Sequence, residues 1–263
     1  MADDDTTPGG TATDGLTVED LTLIYGSGRR ARTVVRSVSL RVPRGRTLGL
    51  VGESGSGKST IGKAVVGLLR PSAGRILLDG QDLAGARRRA AVRRVQLVSQ
   101  DPYSSLNPRL TIGRAIAEAI DPGGADAGRH FAAIARSLET VSLDPAAAWR
   151  YPHEFSGGQR QRIAIARALA VEPEVIVADE ITSALDCSVQ AEVLNLLLDL
   201  RQRLALTMVF ISHDLAVVRH VSDSVAVLRH GELVESGPAA TLYSNPTHPY
   251  TRHLLDSVPR FAE

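Results

Sequence analysis

A glycine- and serine-rich turn lies between a short apolar run, Thr47–Val51, and a segment with helical character. The turn reads Gly52-Glu-Ser-Gly-Ser-Gly-Lys58-Ser59 and fits the spacing G-x-x-x-x-G-K-[ST]. Its glycines let successive backbone N–H groups point inward as a nest for phosphate oxygens, and the following helix adds the positive end of its dipole. A lysine at this position reaches the β- and γ-phosphates, and a hydroxyl beside it suits Mg²⁺. The sequence therefore predicts a nucleotide site, whose binding residues are Gly52, Glu53, Ser54, Gly55, Ser56, Gly57, Lys58, Ser59 and Thr60.

An Asp-Glu pair follows a second apolar run, Val175–Ala178. If this run is a buried parallel strand, Asp179 lies at the carboxyl edge of the sheet beside the glycine-rich turn, where it can hold Mg²⁺ through water. Glu180 is then a candidate to polarise the attacking water. A solvated strand end would give the same pair, so the prediction depends on the turn that accompanies it.

A third pattern, Ser156-Gly-Gly-Gln159, precedes the helical segment Gln159–Ala170. A serine followed three residues later by Gln is a capping box, which starts a helix. Two glycines at the first helical positions weaken that helix by about 1 kcal/mol each relative to Ala. They are favoured where a bulky anion approaches the backbone at a helix N-terminus.

The segment from Ser156 to Leu169 resembles the signature motif of the ATP-binding-cassette (ABC) ATPases. The resemblance covers about Leu16 to Phe261, with the motifs in the family's order. In that family, the signature of one subunit closes on the γ-phosphate held by the phosphate loop of another. The resemblance therefore implies ATP and Mg²⁺ as cofactors, and a nucleotide of the partner subunit as the ligand of Ser156, Gly157, Gly158 and Gln159.

Four further residues match functional positions of the family. Tyr25 matches the aromatic residue that stacks on adenine, although a core tyrosine at a strand end would look the same. Gln100 matches the glutamine that contacts Mg²⁺ and water at the hinge of the helical subdomain. Asp186 matches the loop that communicates across the dimer, and His213 matches the histidine that contacts the γ-phosphate. The implied catalytic residues are Glu180, His213, Lys58 and Gln100, and the implied metal ligands are Ser59, Gln100 and Asp179.

The chain departs from the family pattern directly after Glu180, where Ile181 stands in place of the usual proline. Proline would fix φ near −65° and stiffen the turn that carries the glutamate. The sequence alone leaves the effect of this isoleucine open.

Three stretches are similar to the ATPases of dipeptide, oligopeptide and nickel importers: Gln100–Ile112, Tyr151–Phe155 and Asn245–Pro259. This similarity implies a peripheral subunit on the cytoplasmic face of the cell membrane, powering import of peptides or a related solute, with a nickel chelate possible. The implied partners are two integral membrane permease subunits, a second ABC ATPase (a copy or a homologue) and an extracytoplasmic solute-binding protein, with no nucleic acid. The alternative is a stand-alone ABC ATPase that acts on the ribosome or DNA.

The composition is that of an ordinary globular protein. The chain has 263 residues, 43% of them apolar, and 30 basic against 29 acidic residues give a net charge of +1. This balance excludes a disordered or fibrous chain and gives no global reason to expect nucleic-acid binding. Cys187 is the only cysteine, which excludes an internal disulfide. No apolar stretch approaches the ~20 residues of a membrane-spanning helix, and the acidic N-terminus is unlike a secretory signal.

Strand and helix patterns alternate along the chain, which favours an α/β fold with a mostly parallel central sheet. We expect a P-loop NTPase core, an antiparallel β subdomain near the N-terminus and an inserted α-helical subdomain at about 101–170. Residues 1–15 are expected to form a disordered acidic tail, 16–263 the ABC ATPase domain, and about 238–263 a C-terminal extension. Arg29–Arg36 is predicted to be an exposed turn. The predicted strands are Leu16–Ile24, Val38–Val42, Thr47–Val51, Arg75–Leu78, Val95–Val98, Val175–Ala178 and Thr207–Ile211; the predicted helices are Ser59–Arg70, Arg87–Arg94, Ile112–Ile120, Arg129–Val141, Gln159–Ala170 and Val189–Leu204.

Overall fold

The computed structural model describes residues 15–26, 28–84, 93–101, 105–183 and 185–256. Within these ranges the N-terminal part forms a four-stranded antiparallel sheet in the order β2-β1-β4-β5. A six-stranded sheet in the order β10-β9-β3-β8-β7-β6 forms the centre. All of its pairs are parallel except β9–β10, which is antiparallel. The strands are β1 (Leu16–Tyr25), β2 (Arg32–Val42), β3 (Thr47–Val51), β4 (Ala73–Leu78), β5 (Gln81–Asp82), β6 (Val95–Val98), β7 (Val175–Asp179), β8 (Thr207–Ile211), β9 (Ser224–Arg229) and β10 (Glu232–Pro238).

Helices cover the central sheet, and most described residues between 105 and 169 are helical or in turns. The helices are α1 (Lys58–Val65), α2 (Ile112–Ile120), α3 (Phe131–Thr140), α4 (Gly157–Leu169), α5 (Cys187–Leu204), α6 (Leu215–Val221), α7 (Ala239–Ser244) and α8 (Pro249–Asp256). None of the described helices is both long and apolar enough to cross a bilayer.

Side chains alternate along a strand, and the central strands are buried on both faces because each face packs against a hydrophobic core. Val177 and Val209 face a core shared with α1 and the antiparallel sheet. Ile176 and Phe210, one residue away on the same strands, face a second core shared with α2, α4 and α5. The parallel strands therefore end together at one edge, and this edge carries the predicted nucleotide site.

The predicted α/β class is confirmed, and the strand Thr207–Ile211 and the helix Ile112–Ile120 have the predicted bounds. The predicted strand Arg75–Leu78 is confirmed, although it does not belong to the central, mostly parallel sheet. This segment lies in β4, which pairs antiparallel with β1. Only Ile76 and Leu78 are buried in β4. One buried face is typical of an antiparallel strand exposed to solvent on its other side.

Two element predictions need correction for local reasons. Arg29–Arg36 is not a turn throughout, because β2 begins at Arg32 and buries Val35 while its arginines lie on an edge strand. The helix predicted to reach Arg70 ends at Val65, because Gly67 takes φ +76° and its N–H bonds the Ala64 carbonyl.

The strands β9 and β10 and the helices α6, α7 and α8 were not predicted as elements. The predicted helix Arg87–Arg94 lies outside the described residues except for Arg93 and Arg94, and so does the predicted tail except for Gly15.

Candidate functional site

The glycine-rich turn connects β3 directly to α1. Gly52 has φ +144°, and a Cβ at this position would lie 2.1 Å from the carbonyl oxygen of Leu228. Gly57 has φ +105° and stands at the N-cap position of α1. Only glycine adopts both conformations without strain, so the loop geometry explains the two residues that the motif requires.

Lys58 is buried at the start of α1, and its Nζ donates hydrogen bonds to the carbonyls of Gly52 (2.8 Å) and Glu53 (2.9 Å). Burial lowers the pKa of Lys58, while the negative charges of Glu180, Asp179 and Glu53 oppose this shift. Among the described residues, this buried ammonium bonds neutral carbonyls, so it gains strongly from a phosphate oxygen brought within reach.

The side chains of Ser59 and Asp179 come together from different elements. Ser59 Oγ donates a hydrogen bond of 2.9 Å to Asp179 Oδ1. Burial raises the pKa of Asp179, and the bond from Ser59 acts in the opposite direction. Hydroxyl and carboxylate oxygens are hard donors of the type that Mg²⁺ prefers, so this pair fits a magnesium ion.

Glu180 lies in a tight turn after β7 and has a left-handed backbone, with φ +49°. Its carbonyl accepts hydrogen bonds from the N–H (3.2 Å) and Oγ (2.9 Å) of Ser183. Gln100 Nε2 in turn donates to Ser183 Oγ at 3.1 Å. The side chain of Ile181 is 1% exposed. The turn is therefore held by Ser183 and by burial of Ile181, at the position where the family usually has proline.

His213 follows β8, and its Nδ1 lies 3.6 Å from Glu180 Oε2. One cleft lies at the carboxyl edge of the central sheet, and Asp179 and His213 contact its lining residues Ser59 and Glu180 without belonging to the lining. The residues that line it are Val34, Ser54, Gly55, Gly57, Lys58, Ser59, Thr60, Gln100 and Glu180.

The other predicted site residues lie apart from this lining in the part of the chain that the structure describes. Tyr25 is at the end of β1, pairs with Arg32 and is 43% exposed. Ser156 caps α4, where its Oγ accepts from the Gln159 N–H (3.3 Å) and Gln159 Oε1 accepts from the Ser156 N–H (3.0 Å). The predicted capping box is thus confirmed. Asp186 caps α5, its Oδ1 accepting from the Val189 N–H at 3.0 Å.

Three residues at or beside the cleft were not predicted. Val34 lies in the arginine-rich segment interpreted as a turn, and the apolar pair at Val34 and Val35 was the available signal. Ser183 is two residues after Ile181, and no spacing rule marks it. Tyr250 Oη accepts a hydrogen bond of 3.2 Å from the N–H of Glu53 in the phosphate loop.

Comparisons with known families and proteins identify the family of the chain. The family model of the ABC transporter matches residues 35–183, more than half of the chain. The chain belongs to the ABC transporter family. It is an ABC-type ATPase, and a second model, the C-terminal region of oligopeptide/dipeptide transporters, matches residues 234–263.

Curated relatives are similar over most of the chain. A protein of Brucella abortus (strain 2308), named as a peptide import ATP-binding protein, is 55% identical over 238 residues, which is 89% of this chain and 71% of the relative. A protein of Brucella ovis with the same description is 51% identical over 253 residues, 95% of this chain and 80% of the relative.

Solved structures support the fold. CbiO1 from Clostridium perfringens, part of the ABC transporter complex cbiONQ, aligns with a TM-score of 0.76 and 26% identity, over 88% of this chain and 90% of that one. The ATP-binding cassette MJ0796, in a dimeric post-hydrolysis state bound to ADP and Pi, aligns with a TM-score of 0.72 and 27% identity, over 85% of this chain and 98% of that one.

Proposed function

We propose that this ATPase is the subunit that powers a binding-protein-dependent importer of peptides or closely related small solutes. The observation that carries the proposal is the combination of two features in one chain. A cleft lined by Lys58, Ser59, Gln100 and Glu180 lies at the carboxyl edge of the sheet, and the C-terminal residues 234–263 match oligopeptide/dipeptide transporters. The names of the curated relatives support the same solute class.

Lys58 and the N–H groups of the loop and of the first turn of α1 hold the β- and γ-phosphates of ATP in this proposal. Their charge and dipoles balance the negative charge that spreads over the transferred phosphoryl group. Glu180 orients the attacking water, and His213, 3.6 Å from the glutamate carboxylate, contacts the γ-phosphate side of the site. Tyr25, half exposed at the end of β1, offers its ring to adenine.

Ser59, Asp179 and Gln100 are the residues that would hold Mg²⁺. When bound, the ion would supply positive charge that neutralises the phosphate oxygens. Gln100 also bonds Ser183, which fixes the turn of Glu180. A shift of Gln100 therefore alters both the metal position and the pose of the glutamate.

A second cassette completes the site. Ser156, Gly157, Gly158 and Gln159 lie at the N-terminus of α4, away from the cleft of their own chain, so they act on the nucleotide of the partner cassette. The dimeric state of MJ0796 supports this arrangement. Asp186, at the start of α5, communicates across the same interface in our proposal.

Two integral membrane permeases and an extracytoplasmic solute-binding protein are the remaining partners, and they would hold this subunit at the cytoplasmic face of the membrane. The cbiONQ complex, of which cbiO1 is part, supports a transporter assembly. Closure of the cassette dimer on ATP and its opening after hydrolysis would drive the permeases between their two states.

The test is gentle solubilisation of native membranes, capture of the full-length chain and identification of the proteins that accompany it, followed by reconstitution of the purified complex in vesicles. We expect two multi-span permeases and a second cassette, and ATP-dependent uptake of a labelled tripeptide when the binding protein is added. The Glu180→Gln complex is the matched control, which should assemble but not transport.

Two outcomes would contradict the proposal. Ribosomal proteins or DNA in place of permeases would leave the ATPase chemistry standing and remove transport. Permeases whose vesicles take up a nickel chelate and no peptide would retain the importer and overturn the solute class.

A further inference from the structure

The last described segment of the chain contacts the phosphate loop. Tyr250, in the first turn of α8, is 6% exposed, and its hydroxyl accepts the N–H of Glu53 at 3.2 Å across 197 residues of sequence. The match to the C-terminal region of oligopeptide/dipeptide transporters includes Tyr250, whereas Glu53 lies in the nucleotide site. A residue of the C-terminal region therefore accepts a hydrogen bond from a backbone N–H of the phosphate loop.

Glu53, which bonds Tyr250, also bonds Lys58. The Glu53 carbonyl accepts from Lys58 Nζ at 2.9 Å and from the Ser56 N–H at 3.2 Å. Glu53 is thus fixed at its N–H by the tyrosine and at its carbonyl by the lysine. The Glu53 N–H shares its peptide unit with the Gly52 carbonyl, which accepts from Lys58 Nζ at 2.8 Å. Loss of the Tyr250 bond therefore loosens a peptide that holds the lysine.

Tyr250 is itself held by contacts with two neighbouring residues. The Arg229 guanidinium lies over its ring, 4.7 Å from the centroid, and the Tyr250 N–H donates to His248 Nδ1 at 3.1 Å. Arg229 directly follows Leu228, whose carbonyl packs against Gly52. The end of β9 therefore contacts both the glycine of the loop and the tyrosine that bonds the loop.

Glu235 on β10 anchors the segment that precedes Tyr250. Its Oε1 accepts from the N–H and the Oγ1 of Thr247, both at 2.8 Å, and its Oε2 accepts from the His248 N–H at 3.1 Å. Burial opposes ionisation of this carboxyl, yet the hydrogen bonds from the 247–251 segment outweigh it and hold the pKa of Glu235 at about 2. The hydrogen bonds that fix the segment therefore also favour the ionised form of the anchor.

We infer that Tyr250 is a positioning residue for nucleotide binding, which fixes Glu53 so that the Gly52 and Glu53 carbonyls present Lys58 to the phosphates. This role concerns the ATPase itself and goes beyond the proposed import. It gives the C-terminal region a function at the catalytic loop, with Glu235 as the support of the tyrosine.

The test is Tyr250→Phe in the full chain, with ATP and ADP binding measured by calorimetry and hydrolysis measured over a range of ATP. We expect Kd to rise about 3–10-fold for both nucleotides, the scale of one unsatisfied backbone donor. KM for ATP should rise by the same factor, while kcat at saturation stays within about twofold, because the lost interaction supports binding of substrate and transition state alike.

Tyr243→Phe is the matched control. Tyr243 is a partly buried tyrosine of the same C-terminal part, and its hydroxyl donates to the Leu215 carbonyl at 2.5 Å, away from the loop. It should lower the melting temperature about as much as Tyr250→Phe and leave nucleotide Kd unchanged. An unchanged Kd in Tyr250→Phe, or an equal rise in Tyr243→Phe, would overturn the inference.

A second variant tests the anchor. Glu235→Gln replaces one carboxylate oxygen with an amide N–H₂, which cannot accept a hydrogen bond from the backbone. The variant should therefore release the segment and raise the nucleotide Kd, as Tyr250→Phe does. Because both changes act through one hydrogen bond, the double variant should bind nucleotide no more weakly than Tyr250→Phe alone. Fully additive effects would show that Glu235 and Tyr250 act separately and would contradict the support assigned to Glu235.

Discussion

Two glycine-containing helix N-termini of this ATPase differ in how their first N–H groups are used. In α1, which begins after Gly57, no side chain among the described residues caps the helix, and the buried Lys58 faces the cleft. In α4, Ser156 and Gln159 cap the helix by a reciprocal pair of hydrogen bonds. An uncapped N-terminus retains its donors for an anion, whereas a capped one is stable without a ligand.

The difference fits our proposal, in which the first terminus is a site within one chain and the second is half of a site between chains. The α1 terminus receives Asp179, Glu180 and Gln100 from other strands of the same chain. The α4 terminus stands at the surface, with its capping side chains exposed. Changes at α1 should therefore act on one isolated chain, and changes at α4 should act only when two cassettes meet.

The largest effect is expected from Lys58→Ala, which removes the buried ammonium that bonds the loop. ATP binding should weaken by at least about 100-fold, because a desolvated charge pair with phosphate is lost. Calorimetry on the isolated chain measures it. Lys63→Ala is the control, since Lys63 lies on the exposed face of the same helix and should change Kd by no more than about threefold. Tight ATP binding by Lys58→Ala would remove the lysine from the phosphate site.

Glu180→Gln should lower kcat by about 100-fold or more while ATP binding is retained, the scale of one positioned catalytic group. The amide keeps the shape of the side chain but cannot accept a proton from water. Steady-state hydrolysis and nucleotide binding of the same preparation separate the two quantities. Glu172→Gln is a matched control, because Glu172 is also a glutamate with a left-handed backbone (φ +52° against +49°) and lies outside the cleft. Normal turnover in Glu180→Gln would show that another group orients the water.

The two glycines of α4 allow a sharper test of the half-site. A Cβ on Gly157 would meet only Leu185 Cδ2, at 3.8 Å, so alanine fits there and should stabilise the helix by up to about 1 kcal/mol. We nevertheless expect Gly157→Ala to lower the turnover of the dimer about tenfold, because the backbone loses its approach to the partner's nucleotide. Nucleotide binding by the isolated chain should be unchanged.

Gly158→Ala is expected to lower stability, where Gly157→Ala should raise it. A Cβ there would lie 2.4 Å from Val189 Cγ1, so the variant should be destabilised by about 1–3 kcal/mol in thermal unfolding. Full turnover in Gly157→Ala would mean that the α4 terminus approaches no ligand, and the distinction between the two helices would then be lost.

The sequence predicted the parts of the cleft in which backbone geometry dictates residue type. The loop needs φ +144° at Gly52 and φ +105° at Gly57, and only glycine adopts these angles without strain. The glycine pattern in the sequence therefore predicts the loop conformation. The buried parallel strand Val175–Asp179 is a continuous apolar run, and it was predicted to within one residue, whereas the parallel strand β9 was missed.

The parts that could not be predicted are those fixed by distant contacts. Ser183 matters because Gln100 reaches it from 83 residues away, and Tyr250 because Glu53 donates to it from 197 residues away. Neither contact leaves a periodicity or spacing in the sequence. The first part of the edge strand β2, which precedes the predicted strand Val38–Val42, was missed for a related reason. Its arginines face solvent, and the neighbouring β1 decides that the segment is a strand.

The smallest expected effect separates the capping role of Ser156 from its role toward a partner. Ser156→Ala should cost about 1 kcal/mol of stability, because the Gln159 N–H loses its acceptor. Thr111→Ala should cost a similar amount, since Thr111 caps α2 by accepting from the Arg114 N–H at 3.4 Å. The two variants are therefore matched in stability and differ only in the helix that they uncap.

Turnover of the cassette dimer distinguishes the two roles. Thr111→Ala should hydrolyse ATP at the normal rate, whereas Ser156→Ala should be slower by about 3–10-fold if its hydroxyl also bonds the γ-phosphate across the interface. In the isolated chain, below the concentration at which cassettes associate, both variants should bind ATP like the parent. Equal turnover of the two variants would show that Ser156 only caps its helix, and the glycines would then be the whole contribution of α4 to the partner's site.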